Sequence, residues 1–337
     1  MEKRLTEASH PFGKLSGILF MALTLFSCGT DEPKKPVLDL NPRVSAPAFN
    51  ADSAYAYIAE QVAFGPRVPN SPEHVACGDW LSAELTRHGA EVTEQIGRVR
   101  AYDGSILNIR NIIGSFLPDA KERVMLYAHW DTRPYADKDT VRMREPIDGA
   151  NDGGSGVGVL LEIARVLGLD SLDYGVDIIL FDAEDYGTPE WAEKGQNNML
   201  TWCLGSQFWV NQPHRVGYQA KYGILLDMVG AKGAVFNKEG TSMAYAPATV
   251  KKVWNAAQAL GYGEYFQNEV TPQTVDDNLF VSELGGIPSA NIVHYQVQVI
   301  PMGYGPFHHT HADNMDVIDR NPLNAVGNTI LDVLWND

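Results

Sequence analysis

Three short apolar runs, at 125–128, 176–181 and 222–226, each end in residues that an apolar core does not tolerate alone. The first delivers His129 and Asp131, the second Asp182, Glu184 and Asp185, and the third Asp227. Runs of this length read as buried strands, and open α/β sheets place ligands at the carboxyl ends of their strands. Between the first two lies Gly149-Ala150-Asn151-Asp152-Gly153-Gly154-Ser155-Gly156, a glycine-dense loop with one carboxylate at its centre, which runs into an apolar segment, 157–167, read as a crossover helix. A strand–helix–strand unit of this kind, right-handed by default, brings His129, Asp131, Asp152, Glu184 and Asp185 to one sheet edge. So many buried carboxylates require a cation.

The remaining pattern fits a three-layer α/β/α fold around a central mixed, mostly parallel twisted sheet. Helices are predicted at 52–64, with Asp52 as cap, and at 73–88, carrying Val75, Ala76, Trp80, Leu81 and Leu85 inward. Alternation on either side of Asp103-Gly104 predicts a hairpin of 92–102 and 106–116. Further helices are expected near 205–210, 247–260, 279–284 and 323–334, an edge strand at 235–236 and an extended segment at 287–294. Three long loops, 132–147, 186–201 and 295–307, lack periodicity, and loops of that length are usually functional. Trp80, Trp209, Trp254 and Trp335 read as core residues, His74 and His88 as surface residues.

The 337 residues carry a net charge of −16, which argues against a nucleic-acid partner. Lys3, Arg4 and Lys14 precede an apolar run, 15–26, too short to span a bilayer comfortably but suited to a signal peptide. It ends in Leu25-Phe26-Ser27-Cys28, which resembles a bacterial lipobox with Cys28 as the lipidated residue. Residues 1–27 are therefore expected to be a lipoprotein signal peptide, 28–49 a flexible tether and 50–337 a single catalytic domain, exported and lipid-anchored at the periplasmic face or cell surface. Cys77 and Cys203 remain, with a disulfide between them open.

Acids and histidines recur at His129/Asp131, Asp152, Glu184/Asp185, Asp227 and His308/His309/His311. Mixed His/Asp/Glu ligation without thiolates fits catalytic zinc with an open position. Competing motifs fail. The serine of Gly153-Gly154-Ser155-Gly156 lacks the second glycine of a nucleophile elbow, since Val157 stands there. Neither a Walker lysine nor a dinucleotide fingerprint is present.

Ala128-His129-Trp130-Asp131, the loop 149–156, Phe181-Asp182-Ala183-Glu184-Asp185 and His309-Thr310-His311-Ala312-Asp313 resemble the M28-type zinc aminopeptidase clan. Phe64-Gly65-Pro66-Arg67, Leu226-Asp227-Met228-Val229-Gly230-Ala231 and Asp276-Asp277 are most similar to its bacterial glutaminyl cyclases, over about residues 50–335. The resemblance implies one Zn2+ held by Asp152, Asp185 and His309, with Glu184 as general acid/base assisted by Asp227 and Asp276. It puts Trp191, Asp277 and His308 at the substrate pocket and leaves His129 and Asp227 either hydrogen-bonded or holding a second metal. His311 and Asp313 are read as supporting contacts, and the roles of Asn291, His294 and His308 stay open. The implied reaction is cyclisation of N-terminal glutamine of peptides or proteins to pyroglutamate with release of ammonia, by a monomer. A di-zinc aminopeptidase is the alternative, and a non-catalytic receptor-like ectodomain a more distant one.

Overall fold

The computed structural model describes residues 43–170, 172–193, 195, 198–298 and 303–337. The signal-peptide and lipobox readings, Cys28 included, lie outside the described residues. Helix α1 (Ala51–Ala63) is capped by Asn50, whose side chain accepts from the N–H groups of Asp52 and Ser53, so the cap stands two residues before Asp52. Ser71 caps α2 (Pro72–Arg87), with Pro72 in the first turn, where its missing N–H costs nothing. The expected hairpin forms as β1 (Glu91–Arg100) and β2 (Ile106–Phe116), followed by β3 (Arg123–His129), α3 (Gly154–Leu169) and β4 (Gly175–Phe181). Then come α4 (Leu204–Asn211), β5 (Gly223–Asp227), β6 (Phe236–Lys238), α5 (Gly240–Tyr245), α6 (Pro247–Ala259), β7 (Phe266–Val270), α7 (Asp277–Glu283), β8 (Ser289–Val293) and α8 (Arg320–Trp335).

Six strands form one sheet in the order β1-β2-β4-β3-β5-β8. The hairpin joins antiparallel through β2 and β4, whereas β4, β3, β5 and β8 run parallel. A short pair, β6 with β7, lies apart from it, so the strand expected at 235–236 is real but outside the main sheet. The central strands are buried at every position, and their side chains alternate between two cores. Leu126, Ala128, Ile178, Leu180, Ile224 and Leu226 pack with residues of α1, α2, α3, α6 and α8. Met125, Tyr127, Ile179, Phe181 and Leu225 face the other way, onto Trp209 of α4 and Val281 of α7. These are the two helical layers of an α/β/α sandwich, and the four parallel strands end at one edge.

Several local expectations change. His74 and His88 are buried, not at the surface, and Val75 is 54% exposed rather than inward. Trp209 and Trp254 are core residues, while Trp80 and Trp335 are half-buried. Cys77 and Cys203 are both buried free thiols, so the disulfide does not form. Among the described residues, no helix is long and apolar enough to cross a membrane.

The last part of the segment read as tether, residues 43–49, packs against α8. Arg43 pairs with Asp332, Val44 and Asn336 exchange hydrogen bonds, and the Phe49 ring covers Gly327. A Cβ on Gly327 would lie 2.3 Å from that ring. Gly327→Ala is therefore expected to lower stability by about 1–3 kcal/mol through overpacking, read as a lower urea midpoint with an unchanged slope.

Candidate metal centre

The site begins with the loop that carries Asp152. Arg67 is fully buried and binds the carbonyls of Asp148 and Gly149. Asp313 accepts from the N–H of Asn151 at 2.8 Å and of Asp152 at 3.0 Å. Gly153 turns the chain with φ +82° directly over His129, where a Cβ would meet the imidazole at 2.8 Å. The neighbouring turn after β4 is held in the same way. Asp131 accepts from the N–H of Glu184 at 3.0 Å and of Asp185 at 3.2 Å, which spends its carboxylate on the backbone. Asp182 accepts from the N–H of Arg110 and Ala183 and pairs with His74, whose ring stacks on Trp130 at 4.3 Å. That partnership explains the burial of His74.

These frames bring the predicted residues together. Asp152, Glu184, Asp185, Asp227, Asp276, His308 and His309 line one cavity of about 320 Å3, with Lys138, Trp202 and Tyr304. His309 Nε2 lies 3.2 Å from Asp185 Oδ1 and 3.7 Å from Asp152 Oδ2. Zinc bonded at 2.0–2.1 Å in a tetrahedron separates its ligand atoms by about 3.3 Å, and the two distances from His309 are close to that. Asp152 Oδ2 and Asp185 Oδ2 are buried acceptors with no hydrogen-bond donor, which a cation would satisfy.

Two neighbouring groups contend for the same role. Asp152, His308 and His309 have ligand atoms within 4.8 Å of one another, as do His129, Asp152 and Asp227. His308 Nε2 stands 3.8 Å from Asp152 Oδ2, and its Nδ1 is engaged by Lys138, whereas Asp185 Oδ1 lies 3.2 Å from His309 Nε2. His129 Nε2 meets Asp152 Oδ1 at 3.1 Å and Asp227 Oδ1 at 3.3 Å.

Electrostatics mark the same cavity. Burial raises the Glu184 carboxyl well above its usual range, and Asp276, Asp185 and Asp277 add to this against His129. Burial likewise raises Asp276, with Asp227 and Asp277 adding their repulsion. His129 is the reverse: burial opposes its charge, but Asp131, Asp152 and Asp227 outweigh it and hold the imidazolium well above normal. Glu184 Oε1 also accepts from the Cys203 thiol at 3.1 Å. Asn291 Nδ2 donates to Asp276 Oδ2 at 2.6 Å, and the N–H of Val235 donates to His294 Nδ1, which assigns both residues supporting contacts.

Two expected pocket residues stand elsewhere. Trp191 packs edge-on against Tyr135 and under Arg144, while Trp202 forms the cavity wall, parallel to the His309 ring at 5.9 Å. Gly187 makes room for that indole. Asp277 is buried at the start of α7 rather than on the cavity surface. Sequence spacing could not rank one tryptophan of a long loop above another. Arg133 was also missed: it is buried, pairs with Asp137, and donates to the backbone oxygen of Asp185 at 3.0 Å and to its Oδ1 at 3.3 Å. Asp137 in turn faces His309 Nδ1 at 3.5 Å. Arg133→Met is expected to weaken Zn2+ binding by about 10–100-fold, as loss of groups that orient ligands does, measured by competition with a chromophoric chelator.

Known proteins point the same way. A glutaminyl cyclase of Bacteroides thetaiotaomicron, solved with N-acetylhistamine, is 51% identical, with a TM-score of 0.84 over 87% of this chain and 100% of that one. A Tannerella forsythia glutaminyl cyclase is 54% identical, with a TM-score of 0.84 over 86% and 100%. The aminopeptidase YwaD of Bacillus subtilis (strain 168) is 27% identical over 232 residues, which are 66% of this chain but only 43% of that protein. Residues 111–334, more than half of the chain, match peptidase family M28, and the chain belongs to that family.

Proposed function

We propose that this chain is a zinc-dependent glutaminyl cyclase that converts N-terminal glutamine of peptides or proteins to pyroglutamate and releases ammonia. The observation that carries this reading is Glu184, set at the cavity wall beside the metal-ligand candidate Asp185, with Asp276 and Asp227 lining the same space. The similarity to two solved glutaminyl cyclases over more than four-fifths of the chain supports it.

Asp152, Asp185 and His309 would hold the zinc. When bound, it supplies a Lewis acid that polarises a carbonyl oxygen and stabilises the negative charge that develops there. The protein's own residues do the rest. N-terminal glutamine carries nucleophile and electrophile in one residue, so ring closure depends on orientation, which a cavity walled by Trp202, Tyr304 and His308 imposes. Glu184 takes a proton from the α-amine as its nitrogen bonds to the side-chain carbonyl carbon. It returns that proton to the amide nitrogen as the carbon–nitrogen bond breaks and ammonia leaves. Burial raises the Glu184 carboxyl, which makes it a stronger base for the first transfer. Asp276, held by Asn291, and Asp227 flank the shared proton. No water enters the balance, and its exclusion keeps hydrolysis from competing.

We propose one zinc per chain, with His129 hydrogen-bonded to Asp152 and paired with Asp227. A second zinc at His129, Asp152 and Asp227 is the arrangement expected of an aminopeptidase. The N-terminal pattern supports a lipidated Cys28 and an exported, membrane-anchored enzyme, read here as a monomer.

The purified protein incubated with a Gln-initiated dipeptide should yield a product lighter by one ammonia with its peptide bond intact. Free glutamine would overturn the cyclase reading. Glu184→Gln should lower kcat by about 10²–10⁴-fold with zinc retained, and His309→Ala should lose zinc and turnover together. Metal analysis should return one zinc per chain; two would place His129 and Asp227 in the metal shell.

A further inference from the structure

Lys138 is not among the residues that the ligand set or the acid/base pair accounts for, yet it lines the cavity. Its Nζ lies 2.7 Å from His308 Nδ1. An ammonium group has three donors and no acceptor, so the ring nitrogen it meets must be the acceptor. The proton of a neutral imidazole is then forced onto the other nitrogen. That nitrogen, Nε2, belongs to a side chain on the cavity wall and stands 3.8 Å from Asp152 Oδ2, too far for a hydrogen bond. The ring packs against Tyr304 at 4.6 Å and His309 at 3.7 Å, centroid to centroid, contacts that favour its present orientation.

We propose that Lys138 is a positioning residue which, by donating to His308 Nδ1, fixes His308 as the Nε2–H tautomer, a neutral hydrogen-bond donor to the side-chain carbonyl oxygen of the substrate glutamine. This rests on the cyclase reading for the identity of the acceptor, although not for the tautomer. The arrangement suits such a substrate. A neutral donor aids an oxygen that gains negative charge, yet does not repel the amino group that must approach the same carbon. It also separates His308 from His309 in role: one ring nitrogen is free to face the metal, the other carries a proton.

The test pairs nitrogen NMR of the zinc-loaded protein with steady-state kinetics on a Gln-initiated dipeptide. In the unmutated protein, His308, assigned from its disappearance in His308→Gln, should show a protonated Nε2 and an unprotonated Nδ1. Lys138→Met should move both signals towards averaged positions and lower kcat/KM by about tenfold, with zinc content unchanged. His308→Leu should lower kcat by about 100-fold, the scale for one lost donor of this kind. His308→Gln, whose amide can still donate, should recover part of that loss.

A proton on Nδ1 in the unmutated protein would overturn the assignment. So would an unchanged His308 spectrum in Lys138→Met, which would make any kinetic effect a direct contact of the lysine. Loss of zinc in His308→Leu would make His308 a ligand instead. Hydrolysis of the dipeptide, by contrast, would remove the cyclase reading while leaving the tautomer result standing.

Discussion

Five buried carboxylates, those of Asp152, Glu184, Asp185, Asp227 and Asp276, line one cavity among the described residues, and their mutual repulsion is the constraint that the surrounding structure answers. Each buried carboxylate without a partner carries a desolvation cost of several kcal/mol. The fold meets this with fixed positive or donating groups on every side. His129 sits between Asp152 and Asp227, Arg133 against Asp185, Asn291 against Asp276 and the Cys203 thiol against Glu184. Asp152 Oδ2, Asp185 Oδ2 and Asp227 Oδ1 remain without hydrogen-bond donors, a deficit that a divalent cation would relieve.

This division of labour separates acids that look equivalent in the chain. Asp131, Asp182 and Asp313 are as buried as the proposed ligands, but they accept from backbone N–H groups and are consumed in holding loops. Asp152 and Asp185 receive their position from those acids and keep oxygens free. A carboxylate whose oxygens are taken by the backbone is scaffold; one whose oxygens are left open is chemistry.

The sheet edge was legible because strand periodicity and strand-end acids are local signals, and β3, β4 and β5 deliver His129, Glu184/Asp185 and Asp227 as their spacing implies. Helix positions were legible to within a few residues for the same reason. What escaped depends on distant partners. His74 is buried because Asp182 and Trp130, far along the chain, receive it. Residues 43–49 read as tether from their composition, yet α8 offers Gly327 as a seat for Phe49. Trp202 and Lys138 reach the cavity from long loops without periodicity, and no local pattern ranks them above Trp191 or any other loop lysine.

Ala183, Cys203, Met228 and His309 all adopt left-handed backbone, with φ between +47° and +58°. Side chains other than glycine enter that region at a cost of about 1–2 kcal/mol each. The first precedes Glu184, the second donates to it, the third follows Asp227 and the fourth is a proposed ligand. Stability surrendered at these four points is returned by the sandwich around them. The route by which such a centre can change over evolutionary time is narrowed accordingly: β-branched replacements there face a backbone barrier before any question of chemistry arises. Divergence of specificity is steered instead to wall residues such as Trp202 and Tyr304, whose backbones lie outside that region.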